Sequence, residues 1–435
     1  MPVHLPRGTR DFLPSQMNNR LLVMEKVRRV FRRFGFEPLQ TPAFERIETL
    51  TGKYGGDGEK LIYKILKRGQ NAEPGECDHA LRYDLTVPLA RVVAMHPELR
   101  LPFKRYQIQP VWRADRPQKG RYREFWQCDV DTVGTDALTA DAECIAVVAA
   151  ALRELGLEGF TIRINDRRIL SAVAQFVGAK EREAELLITI DKLDKIGRDG
   201  VTAELQRRGF SAASVEKLWT VLSSTTLDDL QQHLGDEARE GVDALRQLFN
   251  HLEAHGEAGP HIRLDPTLAR GLDYYTGPVF EAIVEKPAIG SIAGGGRYDG
   301  LIGMFSSRTV PAVGVSLGIE RILVAMESLK MLPECHTTTE VLVTVFNSDT
   351  LAASIAITQK LRQFGIDSEL FLGTSKLKAQ FKYANARAIP WVIVAGPDEV
   401  ASETIRLKNL QEQLSQGKVV IHHQDLNMLL KQKKD

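Results

Sequence analysis

Arginine is the chemistry-bearing residue that clusters most tightly in this 435-residue chain. Between Lys104 and Arg123 lie Arg105, Arg113, Arg116, Lys119 and Arg121, set against only Asp115 and, just beyond, Glu124. A guanidinium pairs bidentately with phosphate, so this cluster suits a polyanion such as a nucleoside triphosphate or a nucleic-acid end. A solvated, charged hairpin is the competing reading of charge alone. Two further segments join arginine to unusual backbone. "RGLDYYTGPVFE", residues 270–281, sets Arg270 ahead of the adjacent Tyr274 and Tyr275 and a Thr-Gly turn, where Gly271 and Gly277 permit close backbone turns. "GVSLGIERI" places Arg321 in the first turns of an apolar helix, behind glycines at a strand-to-helix junction. On a strand, Tyr274 and Tyr275 face opposite ways, so at most one looks into a given cleft. There is no GxxxxGK[ST] stretch, so a P-loop is not the phosphate device.

Such residues need a scaffold, and strand parity supplies one. Residues 103–134 read as a β-hairpin, "FKRYQIQPVWR" and "REFWQCDVDTVG" around the polar tip "ADRPQKGRY". Arg105, Gln107, Gln109 and Arg113 share one side of the first strand, opposite Tyr106, Ile108 and Trp112. On the second strand Arg123, Gln127, Asp129 and Asp131 share a side, opposite Trp126, Cys128 and Val130. The hairpin therefore has one polar and one apolar face. In "HALRYDLTVPLARVVA" a polar segment gives way to an apolar helix whose N-terminus can face a cleft.

Around this lie an amphipathic helix from Met17 to Phe36 (Leu21, Met24, Val27, Phe31, Phe34) and a charged, helix-favouring insertion over about 165–255. Strands resume over 261–325, with the glycine-rich turn "AGGGRYDGL", and complete a mainly antiparallel sheet begun near residue 80. After a polar linker over 331–339, apolar strands alternating with helices indicate a separate α/β domain over 340–435. There Lys376, Lys378, Lys382 and Arg387 are spaced so that several can share one helix face toward an RNA backbone, a solvated lysine face being the alternative.

The formal charge of +1 supplies no global field, so any nucleic-acid contact rests on local basic patches. The four cysteines, Cys77, Cys128, Cys144 and Cys335, form no CxxC pair and suggest free thiols in a reducing compartment. No signal-like N-terminus or bilayer-length apolar run is present, which reads as a cytoplasmic protein with no membrane partner.

Several of these stretches carry a resemblance. "FKRYQIQPVWRADRPQKGRYREFWQ" resembles motif 2 of the class II aminoacyl-tRNA synthetases, "GVSLGIERI" motif 3, and "GFEPLQTPAFE" motif 1, with its dimer-interface proline at Pro42. "RGLDYYTG" and "GGGRYDGL" resemble the two histidine-specific motifs of the histidyl-tRNA synthetase family, which "RGTRDFLP" and "ALRYDLTVPLAR" also match. The resemblance implies an α+β catalytic domain over 1–330 with an antiparallel sheet flanked by helices and the helical insertion, an α/β anticodon-binding domain over 340–435, and a homodimer. It implies L-histidine, ATP with Mg²⁺, and tRNA(His) as partners.

By the same resemblance Arg113, Arg270 and Arg321 are catalytic: Arg113 and Arg270 on the α-phosphate, Arg321 on the γ-phosphate of a bent ATP, with Arg121 a further ATP-binding residue. Arg113 and Arg270 also count among the histidine-binding set. Asp84 and Thr86 would bind the histidine ammonium, Gln127 its carboxylate side, and Asp131, Tyr274 and Tyr275 the imidazole and amino end. Arg116 and Gln118 would read the tRNA acceptor end, and no resident metal site is expected. "RYDLT" stands where many bacterial members carry Glu-Gly-Thr, and Asp131 where many carry glutamate; both keep the carboxylate. The alternative is a catalytically silent, synthetase-like regulatory subunit of ATP phosphoribosyltransferase, a type that lacks the C-terminal domain.

Overall fold

The computed structural model describes residues 3–53, 58–69, 72–118, 120–270, 274–333, 337–373, 375–410 and the backbone of 419–422. Lys119, Gly271 and Cys335 lie outside the described residues. The chain divides into two compact units, residues 1–10 with 22–332, and residues 11–21 with 333–435.

Sixteen described strands run in chain order from β1 (Glu37–Pro38), β2 (Phe44–Arg46), β3 (Lys64–Leu66) and β4 (Cys77–Leu81) to the hairpin β5 (Phe103–Trp112) and β6 (Glu124–Val133). β7 (Phe160–Asp166), β8 (Ile262–Leu264), β9 (Pro278–Val284), β10 (Ser291–Arg297) and β11 (Ala312–Gly318) complete the first unit. Eight of them form one sheet in the order β1-β5-β6-β11-β10-β9-β7-β8. The pairings β1–β5 and β7–β8 are parallel and the others antiparallel. The sheet does not begin near residue 80, as the sequence suggests: β4 belongs to a separate three-stranded sheet, β2-β4-β3. Alternating short strands give no signal for which sheet they will join.

Register turns this sheet into a site. Residues directly opposite on neighbouring strands share a face, and one row runs Gln107, Asp129, Ser316, Gly294, Glu281, Arg163 across β5, β6, β11, β10, β9 and β7. The next row begins Arg105, Asp131, Gly314, Gly296. This is the polar face of the hairpin, extended over four more strands. On the apolar face Tyr106, Cys128 and Val130 join one core with Ile145, Val148 and Leu152 of the helix Leu138–Glu154 and with Met24, Val27 and Phe31 of the helix Pro14–Arg33. Removing Leu152, fully buried in that core, by Leu152→Ala costs about 2–5 kcal/mol. Leu21, expected on the same packed stripe, is instead half exposed.

Between β7 and β8 the chain makes six α-helices, from Arg167–Phe176 to Arg239–Ala254. Their starts are written locally. Asp166 accepts from the Arg168 amide at 2.9 Å, Ser211 from that of Ser214 at 3.0 Å, and Thr226 with Asp229 forms a capping box. Leu187, Leu205, Leu218, Leu230 and Leu245 are buried among them.

In the second unit β12 (Val341–Val343), β13 (Ser368–Leu370), β14 (Trp391–Val394), β15 (Thr404–Asn409) and β16 (Val419–His422) order as β13-β12-β14-β15-β16. The first two pairings are parallel and the last two antiparallel. Val341, Val343, Ile357, Leu361 and Ile393 form its core. On its helix Leu377–Ala386, Lys378 and Lys382 are exposed four residues apart, with Lys376 exposed just before them. Arg387 does not join them freely: it pairs with Glu369 at 2.6 Å.

Candidate active site

A cleft of about 370 Å³ opens on the polar face of the eight-stranded sheet. Its lining includes Asp84, Thr86, Arg113, Arg121 and Gln127, and also Asp131, Arg270, Tyr274, Tyr275 and Arg321. Every residue that the sequence assigns to histidine or ATP therefore lines one cavity. Arg116 and Gln118 do not line it; both are exposed on the hairpin tip, which closes through reciprocal Gln118–Arg121 backbone hydrogen bonds of 3.0 and 2.9 Å.

One end of the cleft is buried and acidic. Asp131 is 2% exposed; its Oδ2 pairs with Arg105 Nη2 at 2.7 Å and its Oδ1 accepts from the Tyr298 hydroxyl. Gly314 stands beside it because a Cβ there would lie 1.9 Å from Asp131 Oδ1. Asp129, one row away, keeps a buried Oδ1 with no hydrogen-bond partner among the described residues. Burial pushes its carboxyl up to about 7, Arg105 pulling it down and Asp131 adding to the rise. Asp131 is raised by burial too, opposed by Arg105 and the Tyr298 hydrogen bond. Gln127 donates Nε2 to Ser316 Oγ at 3.0 Å and leaves its buried Oε1 without a partner among the described residues. Asp84 accepts from the Val87 amide at 3.1 Å, just ahead of the helix Thr86–Met95 that Thr86 opens.

The tyrosines overturn the parity expectation. Tyr274 and Tyr275 precede β9 and belong to no strand, so alternation does not apply, and both line the cleft. Their rings stand 4.7 Å apart and tilted by 64°, with Tyr298 edge-on to Tyr274 at 6.0 Å. Burial drives the Tyr274 hydroxyl well above its usual range and Tyr275 to about 12, so both remain hydrogen-bond donors at neutral pH. Gly277 is not left-handed; its lack of a side chain spares the Arg297 stem, 3.2 Å from where a Cβ would stand.

The other end is cationic. Arg113 donates Nε to the Tyr83 carbonyl at 3.1 Å and lies over the Tyr83 and Phe125 rings at 4.3 and 5.2 Å. Arg321 donates to the Ser291 carbonyl at 2.6 Å. Burial, with Arg270 and Arg121 nearby, holds its guanidinium below the ordinary value. Arg121 pairs with Asp115 at 2.8 Å on the rim, and Arg270 pairs with Glu281. Arginines gathered on one side of a cavity form a receptor for an anion.

Two clamps seat these groups. Buried Arg82 donates to the carbonyls of Pro110, Thr41 and Pro42 at 2.9, 2.8 and 2.9 Å. It fixes the segment that carries Tyr83 and Asp84, and burial pushes its guanidinium down to about 10. Near the N-terminus Arg10 stacks on Tyr122 at 3.3 Å and pairs with Glu320, the neighbour of Arg321. Gly8, at φ 88, has no room for a side chain, since a Cβ would meet Pro117 at 2.8 Å and Arg123 at 2.9 Å. Sequence reasoning gave no role to Tyr298, Ser316, Arg82 or Asp129, although Asp129 shares Asp131's face and Tyr298 sits inside "GGGRYDGL".

A long mixed sheet flanked by helices, carrying an arginine-lined cleft on one face, is the class II aminoacyl-tRNA synthetase architecture. A family model described as histidyl-tRNA synthetase matches residues 8–322, and one described as an anticodon binding domain matches residues 340–428. A histidine–tRNA ligase of Cytophaga hutchinsonii is 43% identical over 430 residues, covering 93% of this chain and 95% of the relative. One of Flavobacterium johnsoniae is 41% identical over 451 residues, with 93% and 95% covered. A crystal structure of histidyl-tRNA synthetase from a Nostoc species superposes with a TM-score of 0.85 at 30% identity, covering 100% of both chains. The chain belongs to the histidyl-tRNA synthetase family.

Proposed function

We propose that both half-reactions of the family's ligase chemistry run in this cleft: L-histidine and ATP give histidyl-adenylate and pyrophosphate, and the histidyl group then passes to the 3′ end of tRNA(His). In the first step a histidine carboxylate oxygen attacks the α-phosphorus in line, a new P–O bond forms, and the bond to the pyrophosphate oxygen breaks. In the second a terminal hydroxyl of the tRNA attacks the histidyl carbonyl and AMP leaves. No protein nucleophile is required, and catalysis consists of positioning and of neutralising developing charge.

Arg113 and Arg270 take the α-phosphate, Arg321 the γ-phosphate end, and Arg121 the rim of the nucleotide. Asp84 and Thr86 hold the ammonium, Gln127 the carboxylate side, and Asp131, Tyr274 and Tyr275 the imidazole. A ring with two nitrogens is selected because an apolar substitute leaves buried partners unpaired. Mg²⁺ enters as part of the nucleotide substrate, on phosphate oxygens and water. Residues 1–330 serve catalysis and 340–435 the anticodon. Pro42, exposed in the single chain beside half-exposed Phe44, belongs to a homodimer interface. The protein works in the cytoplasm; no described helix is long and apolar enough to cross a membrane.

What carries this reading is the convergence in one cavity of an arginine set and a buried carboxylate–tyrosine set. The complete arginine set and the anticodon-domain match over 340–428 weigh against a silent regulatory subunit. ATP–pyrophosphate exchange tests it: exchange should require histidine and fall to background with any other amino acid. Exchange indifferent to histidine would overturn it.

A further inference from the structure

The row of side chains across the sheet continues past the cleft, and its far end is an ion-pair chain that the reaction as described does not use. Glu281, 3% exposed on β9, spends one carboxylate oxygen on Arg270. Its other oxygen accepts from Arg163 Nη2 at 2.6 Å, from the residue directly opposite on β7. Arg163 also reaches Asp194 Oδ2 at 2.8 Å and Asp265 Oδ2 at 3.4 Å. Asp194 belongs to the helical segment inserted between β7 and β8, and its carboxylate is 67% exposed. On the other side of Glu281 in the same row stands Gly294, where a Cβ would come within 3.0 Å of Arg270 Nη1. The guanidinium is thus confined between a carboxylate and a bare backbone. Asp191, also from the helical segment, feels the charge of Arg270; burial raises it, while Arg270 and Lys195 lower it.

We propose that Glu281 is the positioning residue of Arg270, and that Arg163 carries this constraint outward to Asp194, so that the seating of the helical segment sets how well Arg270 is aimed. This rests on the role given to Arg270 above. A buried carboxylate holding two arginines fixes both forks, and a guanidinium misplaced by about 1 Å costs rate.

Histidine-dependent pyrophosphate exchange with the full chain tests it. Glu281→Gln should lower kcat by about 10–50-fold while the histidine KM stays within about threefold, and Arg270→Ala should be no slower when Glu281→Gln is added to it. Arg163→Lys, which keeps the charge, should retain more activity than Arg163→Ala. Asp194→Asn, at the exposed end and harmless to folding, should cost about 2–5-fold; it remains decisive where Glu281→Gln melts early. Asp194→Asn with parental exchange, losses that multiply in the double variant, or a Glu281→Gln within twofold of the parent beside a slow Arg270→Ala would each sink the positioning role. An Arg270→Ala with undiminished exchange would instead sink the assignment of Arg270 itself.

Discussion

The two ends of the cleft are built on opposite principles. At the acidic end Asp131 is 2% exposed and engaged through both oxygens, and the tyrosines are held as donors. At the cationic end Arg270 and Arg121 keep 36% and 45% of their side chains exposed, and Arg321 is held where burial and its fellow arginines disfavour its charge. On the proposed reading, discrimination at the first end comes from desolvated partners that only the right ring satisfies. The second gathers positive charge, and on the same reading it acts most strongly where negative charge develops. On the roles proposed above, selection and acceleration are separated along one cavity about 370 Å³ in volume.

The sharpest break at the acidic end is Asp131→Ala, which takes from Arg105, 0% exposed, its ion-pair partner. Thermal or urea unfolding should show a loss of about 3–5 kcal/mol. At the cationic end Arg321→Ala should leave the melting temperature near the parent while exchange slows by about 10²-fold; a comparable loss of stability would erase the distinction between the ends. A subtler effect comes from Asp129. The folded pKa of Asp129, about 7 against an ordinary 3.8, means the folded state binds the extra proton. The group therefore stabilises the fold below about pH 4, and that contribution is lost as pH rises toward 7. Asp129→Asn should gain melting temperature relative to the parent over that window, and parallel pH profiles would contradict it. Smallest for adenylation are Arg116→Ala and Gln118→Ala on the exposed tip, which should lower aminoacylation of tRNA(His) by about 5–10-fold with exchange within twofold. Equal losses in both would return the tip to the nucleotide.

Period-2 alternation made the hairpin's polar face legible, and with it the floor of the cleft, because β5 and β6 are long and regular. Arg321 was legible for a similar reason, since a glycine junction followed by an apolar helix fixes where a third helical residue stands. The tyrosine pair was misread because the rule applied was a strand rule, and Tyr274 and Tyr275 lie ahead of the strand. Asp129's free oxygen, the Arg82 clamp and the Glu281 chain were not legible. Each depends on which strands become neighbours across the sheet, and Arg163 and Glu281 are 118 residues apart in sequence. Sequence gives the face of a strand, whereas the partner on that face is set by topology.

The division of labour is tested most directly by the kinetic split between one variant from each end, measured as histidine- and ATP-dependent pyrophosphate exchange. Arg321→Ala should lose about 10²-fold in kcat with the histidine KM little changed. Tyr275→Phe should raise the histidine KM by about tenfold with kcat within about threefold. If both variants lose kcat and KM in the same proportion, the two ends do not divide selection from acceleration.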